Sequence, residues 1–174
     1  ISDRMDILNA DFKAKGISFK YDDDDNRRPG WKFSEYETKG VPVRLAMGPR
    51  DLENGKIEVA RRDTKEKTIL DFKGIADHIE SLLIEIQDLL FQKALDFKNN
   101  STTEVNDFEV FKKAITKGGF VSAHWDGSSD TEDKIKELTQ ATIRCIPLNQ
   151  IKEVGTCVYS GKPSEGRVLF AKAY

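Results

Sequence analysis

Two histidines, two cysteines, scattered carboxylates and one arginine-rich stretch are the side chains of this 174-residue chain with chemistry to test. His78 falls in a leucine-rich segment, opposite most of its apolar stripe, and His124 stands beside Trp125. Neither has a second histidine, a cysteine pair or a serine elbow at useful spacing, so both read as structural or surface residues. Cys145 and Cys157 are too few for a disulfide scaffold, and no further cysteine lies near either at metal-ligand spacing. Gly118-Gly119 is an isolated pair rather than a phosphate loop, and Asp71, Asp77, Glu80 and Glu85 read as a solvated helix face. No nucleophile, base and oxyanion donor come together, so no catalytic residue is assigned. The chain reads as a binding or scaffolding piece.

The arginine-rich stretch stands out against a near-neutral background, because 28 Lys+Arg and 30 Asp+Glu leave a net charge of only −2. Between Arg27 and Arg62 there are nine cations and five carboxylates, directly after the acidic run Asp22-Asp23-Asp24-Asp25. Such a segment suits a local polyanion contact, and on charge alone it equally suits a solvated face. The chain is long enough for one full domain, or a medium and a small one, and its 38% hydrophobic content implies a lean core. No apolar run approaches the roughly 18 residues that span a bilayer, and no signal-like segment opens the chain, so a cytoplasmic protein without a membrane role is expected. Because the chain starts at Ile1 in helix-like sequence, a piece of a longer protein is also expected.

The elements that would position these residues follow from periodicity. Ser2-Asp3 can cap a helix to about Lys15, closed by Gly16. Ile17 to Tyr21 alternates as a short strand, and Arg27-Arg28-Pro29-Gly30 signals a loop. One or two helical turns over Trp31–Lys39 lead through Gly40 to a strand over Val41–Met47, a turn at Asp51–Gly55 and a strand over Lys56–Arg61. A long helix is predicted from Ile75 to Phe97, with Ile75, Ile79, Leu82, Leu83, Ile86, Leu90, Ala94 and Phe97 on its apolar stripe. Residues 99–103 form a polar break taken as a domain boundary. Beyond it come a helix (Asp107–Ile115), a strand (Phe120–Trp125), a helix (Asp130–Thr139), a strand (Thr142–Ile146), a Gly-Lys-Pro turn and a final strand (Arg167–Ala173). This order implies an α/β or α+β protein with a mixed sheet and helices packed on it. The domains are expected at 1–72 and 101–174, with a connecting helix over 73–100.

The segment Pro29-Gly30-Trp31-Lys32-Phe33-Ser34-Glu35-Tyr36-Glu37-Thr38-Lys39-Gly40-Val41-Pro42-Val43-Arg44-Leu45-Ala46-Met47-Gly48-Pro49-Arg50-Asp51 resembles the anticodon-binding domain of prolyl-tRNA synthetases. The likeness continues through Val59-Ala60-Arg61-Arg62-Asp63-Thr64, resumes at Thr142-Ile143-Arg144-Cys145-Ile146-Pro147 and closes with Leu169-Phe170-Ala171-Lys172-Ala173-Tyr174. These last blocks are typical of the archaeal and eukaryote-like form, which carries an extra domain after the anticodon-binding one.

The resemblance implies the C-terminal part of an ATP-dependent class II ligase that attaches proline to tRNA. Its catalytic domain, with ATP and Mg, would lie upstream of Ile1, as would the first strand of the mixed-sheet anticodon-binding domain. The implied partners are tRNA-Pro and the catalytic domain, in a full enzyme that is a homodimer; DNA is not expected. Splayed anticodon bases would be read one by one. Phe33 offers a stacking face, Arg44 a fork for guanine acceptors, and Glu37 an acceptor for guanine N1 and N2 donors. Arg50 aligns with a basic position of the family and joins these three as an anticodon-binding residue, while Lys32, Arg61 and Arg62 are candidates for RNA-backbone contacts. Relatives often hold a structural zinc on four cysteines, but the corresponding positions here read Asp126, Thr131, Cys157 and Ser160, so zinc is not expected. Tyr174 is expected to dock against the catalytic domain. The competing readings are the related domain of a threonyl, histidyl or glycyl enzyme, and an interaction module that uses the long helix and has no RNA role.

Overall fold

The computed structural model describes residues 2–149 and 152–173. Tyr174, and with it the expected docking tail, lies outside the described residues. The chain divides into two compact units, 1–92 and 93–174.

The first unit opens with α1 (Ser2–Ala14), followed by α2 (Pro29–Thr38), β1 (Val43–Ala46), α3 (Pro49–Glu53), β2 (Lys56–Arg61) and β3 (Lys67–Asp71). The three strands pair antiparallel in the order β1-β2-β3. Alternation along them divides the sheet into two faces. Leu45 and Val59 lie opposite each other on the face that packs against Leu8 and Phe12 of α1. Arg44, Ala46, Glu58 and Ala60 occupy the other face, at the intervening register positions.

The long helix, α4 (Ile75–Asn100), begins in the first unit, where Ile75, Ala76, Ile79, Leu82 and Ile86 belong to that unit's core. Burial along the predicted stripe stops there, and Leu90 and Phe97 are exposed. The N-terminal half of α4 is therefore part of the first unit, rather than a connector set apart from it. Charged contacts fasten it: Lys15 Nζ lies 2.6 Å from Asp77 and 2.7 Å from Glu80, and Arg61 lies 2.6 Å from Glu85. These carboxylates, expected as a solvated face, are exposed but ion-paired.

The second unit contains β4 (Thr102–Glu104), α5 (Phe108–Lys117), β5 (Phe120–His124), α6 (Ser129–Thr139), β6 (Ala141–Cys145), β7 (Gly155–Thr156), β8 (Pro163–Ser164) and β9 (Arg167–Lys172). Its main sheet runs β4-β5-β9-β6 with one parallel pair, β4 with β5. Phe111, Phe170, Val121 and Ile135 are fully buried at its centre. Both helices have side-chain caps: Asp107 accepts from the Val110 amide and Ser128 from the Thr131 amide.

Three local expectations fail. Ile17–Tyr21 forms no strand, because no described strand pairs with its alternating backbone. The 99–103 break shrinks to Ser101: α4 runs through Asn100, and Thr102 already pairs with Phe120. The turn at Asp51–Gly55 is mostly α3, whose start is held by Asp51 Oδ2 accepting from the Gly48 amide at 2.9 Å.

Candidate nucleic-acid interface

The face of the first sheet that carries Arg44 is met by α2. Pro29 stands at the start of α2, where a missing N–H costs nothing. Its ten residues bring Phe33, Tyr36 and Glu37 to one shallow cleft with Arg44 and Arg62. Phe33 and Glu37 share a helix face at i and i+4, as their spacing requires. The enclosed volume is only about 20 Å³, enough for a water and not for a nucleobase.

Phe33 and Arg44 are stacked, with the guanidinium carbon 3.5 Å from the ring centroid. One face of the Phe33 ring is therefore taken by Arg44, which leaves the ring's other face uncovered by the guanidinium. Glu58 Oε1 accepts from Arg44 Nη2 at 3.0 Å. Arg44 Nη1 is buried and has no acceptor among the described residues. Glu37 does not pair with Arg44; its carboxylate faces Lys65 Nζ at 2.8 Å, which holds the Glu37 pKa below its ordinary value. Both partners of that ion pair are exposed, so opening it costs little.

The remaining sequence candidates divide by what already occupies them. Arg61 bonds Asp63 through two nitrogens and Glu85 through a third, which commits it to the turn after β2 and to α4. Lys32 lies 2.8 Å from Asp22 and is largely buried against it. Arg62 is exposed and donates from Nε to the Glu37 carbonyl, leaving the rest of its fork at the cleft. Arg50 is exposed on α3 and not in this cleft.

The acidic run has a role that charge reading missed. Asp22 accepts from Tyr36 Oη at 2.8 Å and pairs with Lys32, so it anchors two successive turns of α2. Lys32, followed by the Tyr36 hydroxyl, pulls the Asp22 pKa down to about 2. A Tyr and a Lys four residues apart on one helix, preceded by a solitary acidic loop, are the signal that could have revealed it.

In the second unit, the positions corresponding to the zinc ligands of relatives hold a different arrangement. Asp126 Oδ2 accepts from Ser160 Oγ at 2.6 Å and Thr131 Oγ1 at 2.9 Å, while its Oδ1 accepts from the Ser128 amide at 3.1 Å. Burial would raise the Asp126 pKa, but these hydrogen bonds outweigh it and the net shift is downward. Cys157 is buried, and its amide bonds the Lys162 carbonyl at 2.8 Å. One carboxylate, one thiol and two engaged hydroxyls do not fit a tetrahedral thiolate site. Among the described residues, no three His, Cys, Asp or Glu side chains converge as a metal site.

His124 is also absorbed by structure. It is buried, with Nδ1 3.1 Å from Ser164 Oγ and Nε2 3.5 Å from Glu153. Gly155 lies against the ring so closely that a Cβ there would come within 2.3 Å of Nε2. His78 is exposed on α4. Among the described residues, no helix is long and apolar enough to cross a membrane.

Comparison with known proteins agrees with this geometry. Residues 1–82 match the family model described as "Anticodon binding domain". Residues 108–174 match "Prolyl-tRNA synthetase, C-terminal". The first unit is thus an anticodon-binding domain, joined by α4 to a second domain of its own type. Proline–tRNA ligases of Flavobacterium johnsoniae and Porphyromonas gingivalis strain W83 are 56% and 54% identical over the whole chain. The chain spans about 36% of the length of the first of these relatives and 35% of the second. A crystal structure of prolyl-tRNA synthetase from Cryptosporidium parvum, complexed with L-proline and AMP, superimposes with a TM-score of 0.89 at 30% identity. That match covers 99% of this chain and 37% of the other. The chain belongs to the prolyl-tRNA synthetase family.

Proposed function

We propose that this chain binds tRNA-Pro and recognises its anticodon at the α2–β1 face, in support of ATP-dependent attachment of proline to tRNA by a catalytic domain of the same protein. The observation that carries the reading is Arg44: its guanidinium is stacked on Phe33, and Nη1 is left without an acceptor. A buried donor of that kind has a free-energy cost that an arriving base acceptor removes. Arg44 supplies the donor for guanine O6 or N7, and Glu37, released from Lys65, takes the guanine N1 and N2 donors. Two adjacent guanines in every proline anticodon require this mixture. Arg62 and Arg50 are the exposed cations suited to the RNA backbone, whereas Arg61 and Lys32 are committed to protein carboxylates.

The same reading covers the rest of the enzyme: ATP and Mg act at the catalytic domain, the protein is a cytoplasmic homodimer, and Tyr174 docks towards the catalytic domain. The second domain holds without zinc through the hydrogen bonds gathered on Asp126. Binding of anticodon stem-loops at several salt concentrations tests the central claim. The proline anticodon is expected to bind more tightly than one with its guanines replaced, with the difference kept as salt weakens both. Equal affinity for the two RNAs at every salt concentration refutes it.

A further inference from the structure

The geometry points to Glu58 as the positioning residue for anticodon readout: it fixes the Arg44 guanidinium on Phe33 and leaves Nη1, the buried nitrogen without an acceptor, as the reading donor. This rests on the proposal that Arg44 contacts a guanine.

The register puts the two residues within reach of each other. Arg44 lies opposite Ala60 and Glu58 opposite Ala46, so the two charged residues are diagonal neighbours on the same face of β1 and β2. At that separation a long side chain reaches its partner across the strands. Glu58 takes Nη2 at 3.0 Å, and the Phe33 ring covers one face of the planar group at 3.5 Å. With one face covered and one edge held, the guanidinium cannot turn freely. Arg44 is 14% exposed and Glu58 33%, so the pair is shielded far more than Glu37 with Lys65. The two ion pairs thus do different work. Lys65 occupies the Glu37 acceptor and must leave, whereas Glu58 holds a nitrogen that the base does not need and can stay. Glu58 itself is on the sheet below α2 and is not among the residues lining the cleft.

Four variants and two RNAs test this, using an anticodon stem-loop with the proline sequence and one with its guanines changed to adenines. Glu58→Asp keeps the charge but is one methylene too short to reach Nη2, and is expected to lower discrimination between the two RNAs roughly tenfold. Glu58→Gln keeps an acceptor oxygen at full reach and is expected to retain most of the discrimination. Arg44→Ala is expected to lower it at least as much as Glu58→Asp, and the double variant Arg44→Ala/Glu58→Asp no further than Arg44→Ala alone, because the two act as a unit. The salt dependence of binding should be unchanged by either Glu58 variant, since no phosphate contact is lost. Wild-type discrimination in Glu58→Asp, alongside a loss in Arg44→Ala, overturns the positioning role and leaves base readout standing. Additive losses in the double variant overturn it as well. Undiminished discrimination in Arg44→Ala removes the readout and the positioning role together.

Discussion

Arg44 in the first domain and Arg167 in the second are buried to nearly the same extent, with 14% and 11% of their side chains exposed, yet they are equipped in opposite ways. Arg167 has every nitrogen engaged: Nε with Glu153, Nη1 with the Val105 carbonyl, and Nη2 with Asn106. It ties β9 to the end of β4 and to the loop before β7. Arg44 has one carboxylate, one aromatic ring and one nitrogen left over. Arg61 of the first domain resembles Arg167, with three nitrogens on two carboxylates. Among equally buried arginines, the completeness of the hydrogen-bond set separates Arg167 and Arg61, whose nitrogens are spent on the fold, from Arg44, which keeps one buried donor without a partner. Burial and charge alone do not make that distinction.

Substitutions can break or sharpen the contrast. Arg167→Ala removes the bonds to Glu153, the Val105 carbonyl and Asn106 together and should cost about 3 kcal/mol of stability, read from urea unfolding. Gly155→Ala, on β7, forces a methyl into the His124 ring and should cost about 2 kcal/mol by the same measurement. Arg44→Ala should lose about 1 to 3 kcal/mol of discrimination between proline and mutated anticodons, while its melting temperature falls far less than that of Arg167→Ala. If thermal scans show Arg44→Ala destabilised as severely as Arg167→Ala, the contrast is false.

A smaller effect is expected at the anchor of α2. Asp22 has a folded-state pKa depressed to about 2, so its contribution is present above the ordinary aspartate range and is lost as pH falls through about 2. Between pH 5 and 2, protection near α2 should therefore fall in wild type towards the level of Asp22→Asn, which starts lower and lacks this titration, as followed by amide exchange at Lys32 and Tyr36. The smallest expected effect is none at all: a strong chelator should leave the melting curve unmoved, and metal analysis after dialysis should find far less than one zinc per chain. A chelator-induced drop in melting temperature would show that Asp126 and Cys157 hold a metal after all.

Much of this site was legible in the residues themselves. Phe33 and Glu37 share a helix face by spacing, and Arg44 falls on the non-core face of β1 because Val43 and Leu45 alternate around it. Pairing was not legible. The contact of Arg44 with Glu58 depends on the β1–β2 register, which residues 47–55 set through a helix where the sequence suggested only a turn. β3 went unread because Lys67-Thr68-Ile69-Leu70-Asp71 has two adjacent apolar residues rather than alternation, and its Ile69 is exposed. β4 is only three residues long and has no apolar residue, so its existence depends wholly on β5. Conversely, Ile17–Tyr21 has the alternation of a strand without a partner, which shows that alternation alone does not make one.

The hydrogen bonds gathered on Asp126 have a consequence for life under oxidative stress. A joint made of thiolates fails when its sulfurs are oxidised, and it can be completed only while the metal is supplied. The carboxylate of Asp126 and the hydroxyls of Thr131 and Ser160 undergo neither reaction. The hydrogen bonds that close this corner around Asp126 are therefore made of parts that peroxide does not attack and that form without a metal.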